Sequence, residues 1–254
     1  MDATSFITCE SDRLASVLAS LDPTTPCPSC PDWTARDLIA HLTHVHHFWA
    51  TLLTEDIRSD EDASRVEDSA PELPESIDEI LPVRAAATRA LTAALDNLDD
   101  AEPRWSWWPA DQTVGFTRRM QVCEAVMHRV DAELAAGLDP SPIDRDVAAH
   151  CLSHCVDVMW GWLPDGASHT SRGIARIESD GQEWFIGVGD YPDSGGAPVP
   201  RAERAAEGAE PTVEIAGDLD ELARWAWGRG GQVMITGDHT GIAAMERLIA
   251  AGIQ

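Results

Sequence analysis

Residues 116–134, FTRRMQVCEAVMHRVDAEL, are the stretch that decides the fold. Apolar side chains recur along it every three or four residues and form one stripe of a helix: Phe116, Met120, Cys123, Met127, Val130 and Leu134. A polar stripe adjoins it, because Glu124, His128 and Asp131 follow one another at spacings that bring them onto one side of a helix. The spacing predicts a helix from Phe116 to about Ala136, with a carboxylate and an imidazole one turn apart.

A second helix, predicted from Trp33 to about residue 54 with Asp32 before it, supplies another imidazole. Its apolar face is formed by Leu38, Leu42, Val45, Trp49 and Leu52. On the helical wheel His41 lies within this face and His44 at its edge, while His46 and His47 point away. A histidine on an apolar face needs a partner, because burying an unpaired polar group costs a few kcal/mol.

Two imidazoles and one carboxylate, with an open position, are typical of catalytic zinc and iron sites. The sequence therefore predicts that His41, Glu124 and His128 bind one divalent cation. The simpler alternatives are a core histidine bonded to a carbonyl or carboxylate, and a Glu–His pair on a solvated helix face. Asp131 either orients the neighbouring imidazole from outside the ligand set or lies at the surface.

The N-terminal part of the chain is predicted to be an antiparallel four-helix bundle over residues 1–140. Its helices are predicted over residues 3–21, 33–54, 77–99 and 116–136. The acidic stretch 55–76 is predicted as a loop with at most short helical turns.

The pattern changes after Gly137-Leu-Asp-Pro-Ser-Pro, which marks a domain boundary. Helices are predicted over 143–162, 218–228 and 240–251, and strands over 173–178, 183–188, 212–215 and 232–236. This mixture predicts a small α+β domain over residues 141–254, so the fold class is α+β with two domains.

Charge and hydropathy restrict the partners. The chain has 44 acidic and 18 basic residues, for a formal net charge of -26, which disfavours nucleic acid and anionic membranes as partners. No apolar run reaches the roughly 18 residues of a membrane-spanning helix, and no secretion signal opens the chain. We expect a cytoplasmic protein, a monomer or small homo-oligomer, that acts on a small molecule.

Two cysteine clusters and a group of tryptophans have alternative interpretations. Cys27 and Cys30 form a C-x-x-C that is either a redox or metal site or, preferably, a proline-rich turn ahead of a helix. The segment from His150 to Cys155 is either a metal or thiol site or, preferably, small residues packed on a helix. The tryptophans at 105, 107 and 108 either wall an active-site mouth or, preferably, plug the end of the bundle.

Three segments resemble, in the expected order, signatures of the mycothiol-dependent maleylpyruvate isomerase family of the DinB-like superfamily. They are Cys30–Leu42, Phe116–Glu133 and Gly217–Gly230. The resemblance implies a DinB-like bundle that holds zinc through His41, Glu124 and His128, and a sterol-carrier-like α+β C-terminal domain. It also implies a catalytic role for Arg229, which from the residues alone either reaches an anionic ligand or caps a helix. The chain departs from many relatives at Cys123, where they have a histidine.

Three functions are compatible with this site. The resemblance implies an enzyme that uses a metal-activated thiol, mycothiol or a similar one, as the nucleophile in an isomerase or S-transferase reaction on an unsaturated or electrophilic substrate. The alternatives are a hydrolase in which the metal activates water, and a binding or regulatory protein with a structural metal.

Overall fold

The computed structural model describes residues 2–164, 167–192 and 195–253. The chain folds into two compact units, Met1–Ser141 and Pro142–Gln254. Within the described residues no helix is both long enough and apolar enough to cross a membrane. The fold is the mixed α and β arrangement that the sequence predicts.

The first unit is a four-helix bundle. Its long helices are α1 Ala3–Leu18, α2 Ala35–Thr54, α4 Ile77–Asn97 and α5 Val114–Ala135, and the short α3 is Asp60–Asp68. Helix α2 packs most extensively on α4, and α1 on α5, while α1 also contacts α4 and α2 contacts α5. The bundle core is built from fully buried aliphatic side chains such as Leu14, Leu38, Leu42, Ile80 and Leu95.

Helix α2 begins later than the sequence predicts, because a β-hairpin precedes it. Strands β1 Pro26–Cys27 and β2 Cys30–Thr34 pair antiparallel, so the residue expected to cap the helix, Asp32, lies in β2. Thr34 caps the helix instead. Its hydroxyl accepts from the Asp37 backbone N–H, and the Asp37 carboxylate accepts from the Thr34 backbone N–H, which makes a capping box.

The prediction of a loop over residues 55–76 was incomplete, because α3 lies within it. The Ser59 hydroxyl caps this helix, and its first turn holds Asp60, Glu61 and Asp62. Carboxylates in a first turn favour a helix, since they face the positive end of its dipole. The same acidic run is typical of solvated loops, so composition alone did not distinguish the two.

The second unit is a five-stranded sheet with helices. The sheet order is β5-β4-β3-β6-β7, in which β3 and β6 are parallel and the other neighbours antiparallel. The strands are β3 Thr170–Ser179, β4 Gln182–Pro192, β5 Pro198–Arg204, β6 Val213–Ala216 and β7 Met234–Gly237. The helices are α6 Arg145–His154, which continues as a π-helical turn over Cys155–Met159, α7 Leu219–Ala226 and α8 His239–Ala250.

Strand β5 was missed by the sequence analysis because it contains Pro198 and Pro200. Proline cannot donate to a β-ladder and is therefore confined mostly to edge strands. β5 is an edge strand of this sheet, which accommodates both prolines.

Candidate metal centre

The three predicted ligands lie together in the first unit. One ligand atom from each of His41, Glu124 and His128 lies within 4.8 Å of the others. His128 Nε2 is 3.1 Å from Glu124 Oε2, and His41 Nε2 is 3.9 Å from the same oxygen. The two imidazole rings meet edge to face with their centroids 4.7 Å apart. This set brings together side chains from α2 and α5, which lie far apart along the chain.

His41 has a buried nitrogen that lacks a hydrogen-bond partner. Its Nε2 is inaccessible to water and makes no hydrogen bond within the part of the chain that the structure describes. Burial lowers the pKa of His41, against the opposing effect of Glu124, and so favours the neutral imidazole with a free lone pair. An unpaired buried nitrogen is costly, and a cation between His41 and Glu124 would satisfy it. The residues therefore fit a divalent metal.

Glu124 and His128 form a coupled ionic pair. Burial by itself would raise the pKa of Glu124, but the hydrogen bond from His128 and the proximity of His41 outweigh it and hold the carboxylate ionised. Burial would likewise lower the pKa of His128, but Asp131 and Glu124 outweigh it and raise that pKa to about 9. Glu124 thus presents an ionised carboxylate at neutral pH, which is the form that binds a divalent cation.

Asp131 is the outer partner of His128. Its side chain is fully buried, and its Oδ2 is 2.9 Å from His128 Nδ1. The same carboxylate accepts hydrogen bonds from the Ser29 hydroxyl and the Cys30 thiol of the hairpin. A carboxylate behind an imidazole fixes its tautomer and orientation. Of the two alternatives for Asp131, the structure supports the orienting one.

The sequence analysis did not recognise Trp33 as part of the site. Its ring packs against His41 with centroids 4.5 Å apart and lies 6.0 Å from the ring of His128. Trp33 precedes α2 and was interpreted only as the first residue of that helix. In the structure it is part of β2, which positions the indole over both imidazoles.

A cavity of about 350 Å³ opens beside His41. Trp105 and Trp107 line it, which supports the alternative of a wall beside the candidate site for these two residues. His46 corrects a prediction. It was expected to point away from the core, but it is fully buried, and its Nδ1 lies 2.9 Å from the hydroxyl of Thr88 on α4.

The C-x-x-C cysteines are buried in the hairpin between β1 and β2. Cys27 and Cys30 are thiols rather than a disulfide, with exposures of 1% and 0%. Burial is the main cause that raises the pKa of Cys27 to about 11, and the charge of Asp131 adds to it. A thiol that stays protonated is a poor nucleophile, which supports a structural role. The turn expected here is a β-hairpin.

The histidines and cysteines of α6 lie in the second unit. The rings of His150 and His154 are 6.3 Å apart, and Cys151 and Cys155 are fully buried. Burial raises the pKa of the Cys155 thiol well above its usual value. Within the described residues, the grouping of three potential metal ligands is the one around His41, and none of these four side chains belongs to it. Packing is the interpretation that this arrangement supports.

Arg229 also lies in the second unit and is 3% exposed. Its Nη1 donates to the backbone carbonyls of Trp227 and Ile253. These bonds satisfy carbonyls that follow α7 and α8, which supports the capping alternative.

Cys123 is fully buried, as its place on the apolar stripe predicts.

Comparisons with known proteins agree with this architecture. The sequence profile of the mycothiol maleylpyruvate isomerase N-terminal domain matches residues 7–133. A crystal structure of the mycothiol-dependent maleylpyruvate isomerase is similar, with a TM-score of 0.59 and 16% identity over 93% of this chain and 92% of that chain. A point variant of that enzyme has the same TM-score and coverage with 14% identity. At these identities the likeness shows the fold. No curated protein sequence matches the chain significantly.

Proposed function

The chain belongs to the mycothiol maleylpyruvate isomerase family, a family of enzymes, and we propose that it is a metal-dependent enzyme that uses a low-molecular-weight thiol such as mycothiol as its nucleophile. Its substrate is a small unsaturated or electrophilic molecule. Its reaction is an isomerisation or a transfer of the thiol. The proposed metal is Zn²⁺, held by His41, Glu124 and His128.

One observation carries this proposal. Two imidazoles and a carboxylate converge within 4.8 Å, and a buried nitrogen among them has no hydrogen-bond partner in the part of the chain that the structure describes. A structural zinc site is usually closed by four protein ligands, whereas a catalytic site has three and an open position. The proximity of three such side chains among the described residues supports a site with room for a reactant.

When bound, a divalent cation supplies the Lewis acidity that keeps a coordinated thiol deprotonated at neutral pH. The protein contributes the orientation of the ligands. Asp131 accepts from His128 Nδ1 and so directs Nε2 toward Glu124. Trp33 packs against His41 and restricts its ring. Aromatic side chains beside His41 limit the access of water.

The proposed reaction needs no oxidant or reductant. The thiolate sulfur adds to one carbon of an activated double bond, and the adjacent activating group takes up the electron pair. The remaining single bond rotates, and elimination of the thiolate restores the double bond in the other geometry. Protonation of the adduct before elimination would instead give a thiol conjugate. Both outcomes begin with the same addition.

The proposal predicts that turnover requires both thiol and metal. Protein stripped with a chelator should show no thiol-dependent turnover, and Zn²⁺ should restore it. Protein loaded with Co²⁺ should develop a sulfur-to-cobalt charge-transfer absorption when the thiol is added, because the open position takes the sulfur. Equal turnover with and without thiol, or a cobalt spectrum that the thiol leaves unchanged, would reject the thiol mechanism.

For Arg229 we propose a role in the reaction, as the resemblance implies. The Arg229→Lys variant keeps the charge but loses the planar guanidinium, whose Nη1 donates to two carbonyls. We expect thiol-dependent turnover to fall at least about tenfold while circular dichroism and metal content stay unchanged. Unchanged turnover in a folded variant would leave Arg229 with a capping role only.

A further inference from the structure

We propose that the cavity beside His41 takes an uncharged electrophile with an apolar body, and that Glu67 at its wall excludes carboxylate substrates. This inference rests on the proposed function, since it names the substrate class of the same site. It concerns the first unit only, where the cavity is formed by α2, α3 and the loop that carries Trp105 and Trp107.

The wall of the cavity is aromatic. Phe48, Trp49, Trp105 and Trp107 line it, and the ring of Trp105 lies 6.0 Å from the rings of both Phe48 and Trp49. The volume of about 350 Å³ is at the lower end of the roughly 300–1,000 Å³ that is usual for small-molecule sites. A small apolar molecule in this cavity would therefore contact several aromatic rings.

The polar ends of two indoles are already bound to protein atoms. Trp105 Nε1 donates to the Asp60 carboxylate at 2.6 Å, and Trp107 Nε1 donates to the Met120 sulfur at 3.2 Å. These two rings thus present carbon surface to the cavity, while their N–H groups donate to Asp60 and Met120. A ligand gains contact area from these two rings, and neither of them offers a carboxylate a free N–H donor.

Among the described residues that line the cavity, Glu67 on α3 is the one acidic side chain, three are histidines, and none is a lysine or an arginine. Glu67 has no ion-pair partner among the described residues. The nearest arginines in sequence are occupied, because Arg58 pairs with Asp56 and Arg65 with Asp62. A dianionic substrate would therefore meet a like charge, and no lysine or arginine among the described lining residues, in this wall.

His44 helps to hold this wall in place. Its Nε2 donates to the backbone carbonyl of Pro71 at 2.9 Å, which connects α2 to the segment after α3. That bond fixes the imidazole against α3, whose Val66 and Glu67 face the cavity. Glu67 is an exposed residue at the rim of this wall, on a helix that packs against α2.

The test compares dimethyl maleate with maleate, which share one double bond and differ in charge. Zinc-loaded protein is assayed at pH 8 with thiol present, and the fumarate-type product is measured for each. We expect kcat/KM to be at least about tenfold higher for the diester, after subtraction of the reaction without enzyme. Glu67→Gln should reduce this ratio several-fold, and Glu67→Lys should reduce it further. Glu61→Gln makes the same charge change elsewhere on α3 and should leave the ratio unchanged.

The outcomes separate the two proposals. Thiol-dependent turnover with equal or better use of maleate, or a ratio that does not respond to Glu67, overturns the substrate class and leaves the thiol mechanism standing. If neither compound is turned over, calorimetric titration with unreactive dimethyl succinate and succinate still decides the substrate class. Tighter binding of the diester, weakened in Trp107→Ala, supports it, and tighter binding of succinate overturns it.

Discussion

The His128→Ala protein is expected to lose its bound metal and its thiol-dependent turnover together. His128 supplies one of the two imidazoles, and its Nε2 is 3.1 Å from Glu124. Without it, two ligands remain, and the carboxylate of Glu124 loses its main partner. Loss of an outer partner of a ligand already costs about 10–100-fold in metal affinity or activity, and loss of a ligand should cost more. Metal analysis should show about one equivalent per chain in the parent and a small fraction in the variant.

Two variants make this result specific. His239→Ala removes an exposed imidazole at the start of α8 and should retain the metal. His41→Ala removes the other imidazole, whose side chain is 27% exposed, so the bundle should tolerate the change. If both His41→Ala and His128→Ala fold and still hold a full equivalent, the proposed centre does not exist.

The Arg129→Met protein is expected to lose about 3–5 kcal/mol of unfolding free energy. Arg129 is 2% exposed and joins α5 to α1 through Glu10 at 2.7 Å. It also donates to the fully buried Glu133 at 2.8 Å. Removing the guanidinium leaves Glu133 with a buried charge that lacks this partner. Chemical denaturation at pH 7 measures the loss.

Arg13→Met is the matched control. Arg13 pairs with the same carboxylate at 2.9 Å, but its side chain is 47% exposed. A solvated pair of this kind contributes about 0–1 kcal/mol, so the control should stay close to the parent. Equal losses of unfolding free energy in the two variants would contradict the claim that burial makes the Arg129 pair the stronger one.

The pH dependence follows from Glu133. Burial by itself would raise its pKa, but hydrogen bonds from Ser141, Arg129 and Arg13 outweigh it and lower that pKa. Its contribution to stability is therefore complete above the ordinary glutamate pKa of about 4.3 and is lost as pH falls through the lower folded-state value. In Arg129→Met the pKa should rise, so the difference from the parent should shrink between pH 7 and pH 4.

The ligands could be predicted because their chemistry coincides with helical spacing. Glu124 and His128 share one face of a helix, and His41 interrupts an apolar face of another. His46 shows where this approach fails. His46 lies outside the main apolar stripe of α2, yet α4 covers it, and its Nδ1 forms a hydrogen bond with the hydroxyl of Thr88 on that helix. A wheel for one helix does not show how many neighbours that helix has.

The cavity could not be predicted from the sequence. Its wall depends on α3, whose acidic composition is also typical of a loop and was interpreted as one. It depends as well on the path of the chain that brings Trp105 beside Phe48. The hairpin was missed for a related reason, since strands of two and five residues carry little periodicity. Long helices were predicted with small errors at their ends, because each presents several turns of one pattern.

Strand β5 also bears on how copies of the protein behave at high concentration. Pro198 and Pro200 have no N–H, and the N–H of Ala202, next in the alternation, donates to the Trp160 carbonyl at 3.0 Å. The backbone nitrogens of these three residues lie on the outer edge of the sheet, because alternate residues of a strand direct their backbone groups to the same edge. A strand from another molecule would find no donors at these three positions, so this rim is a poor template for edge-to-edge aggregation or amyloid growth.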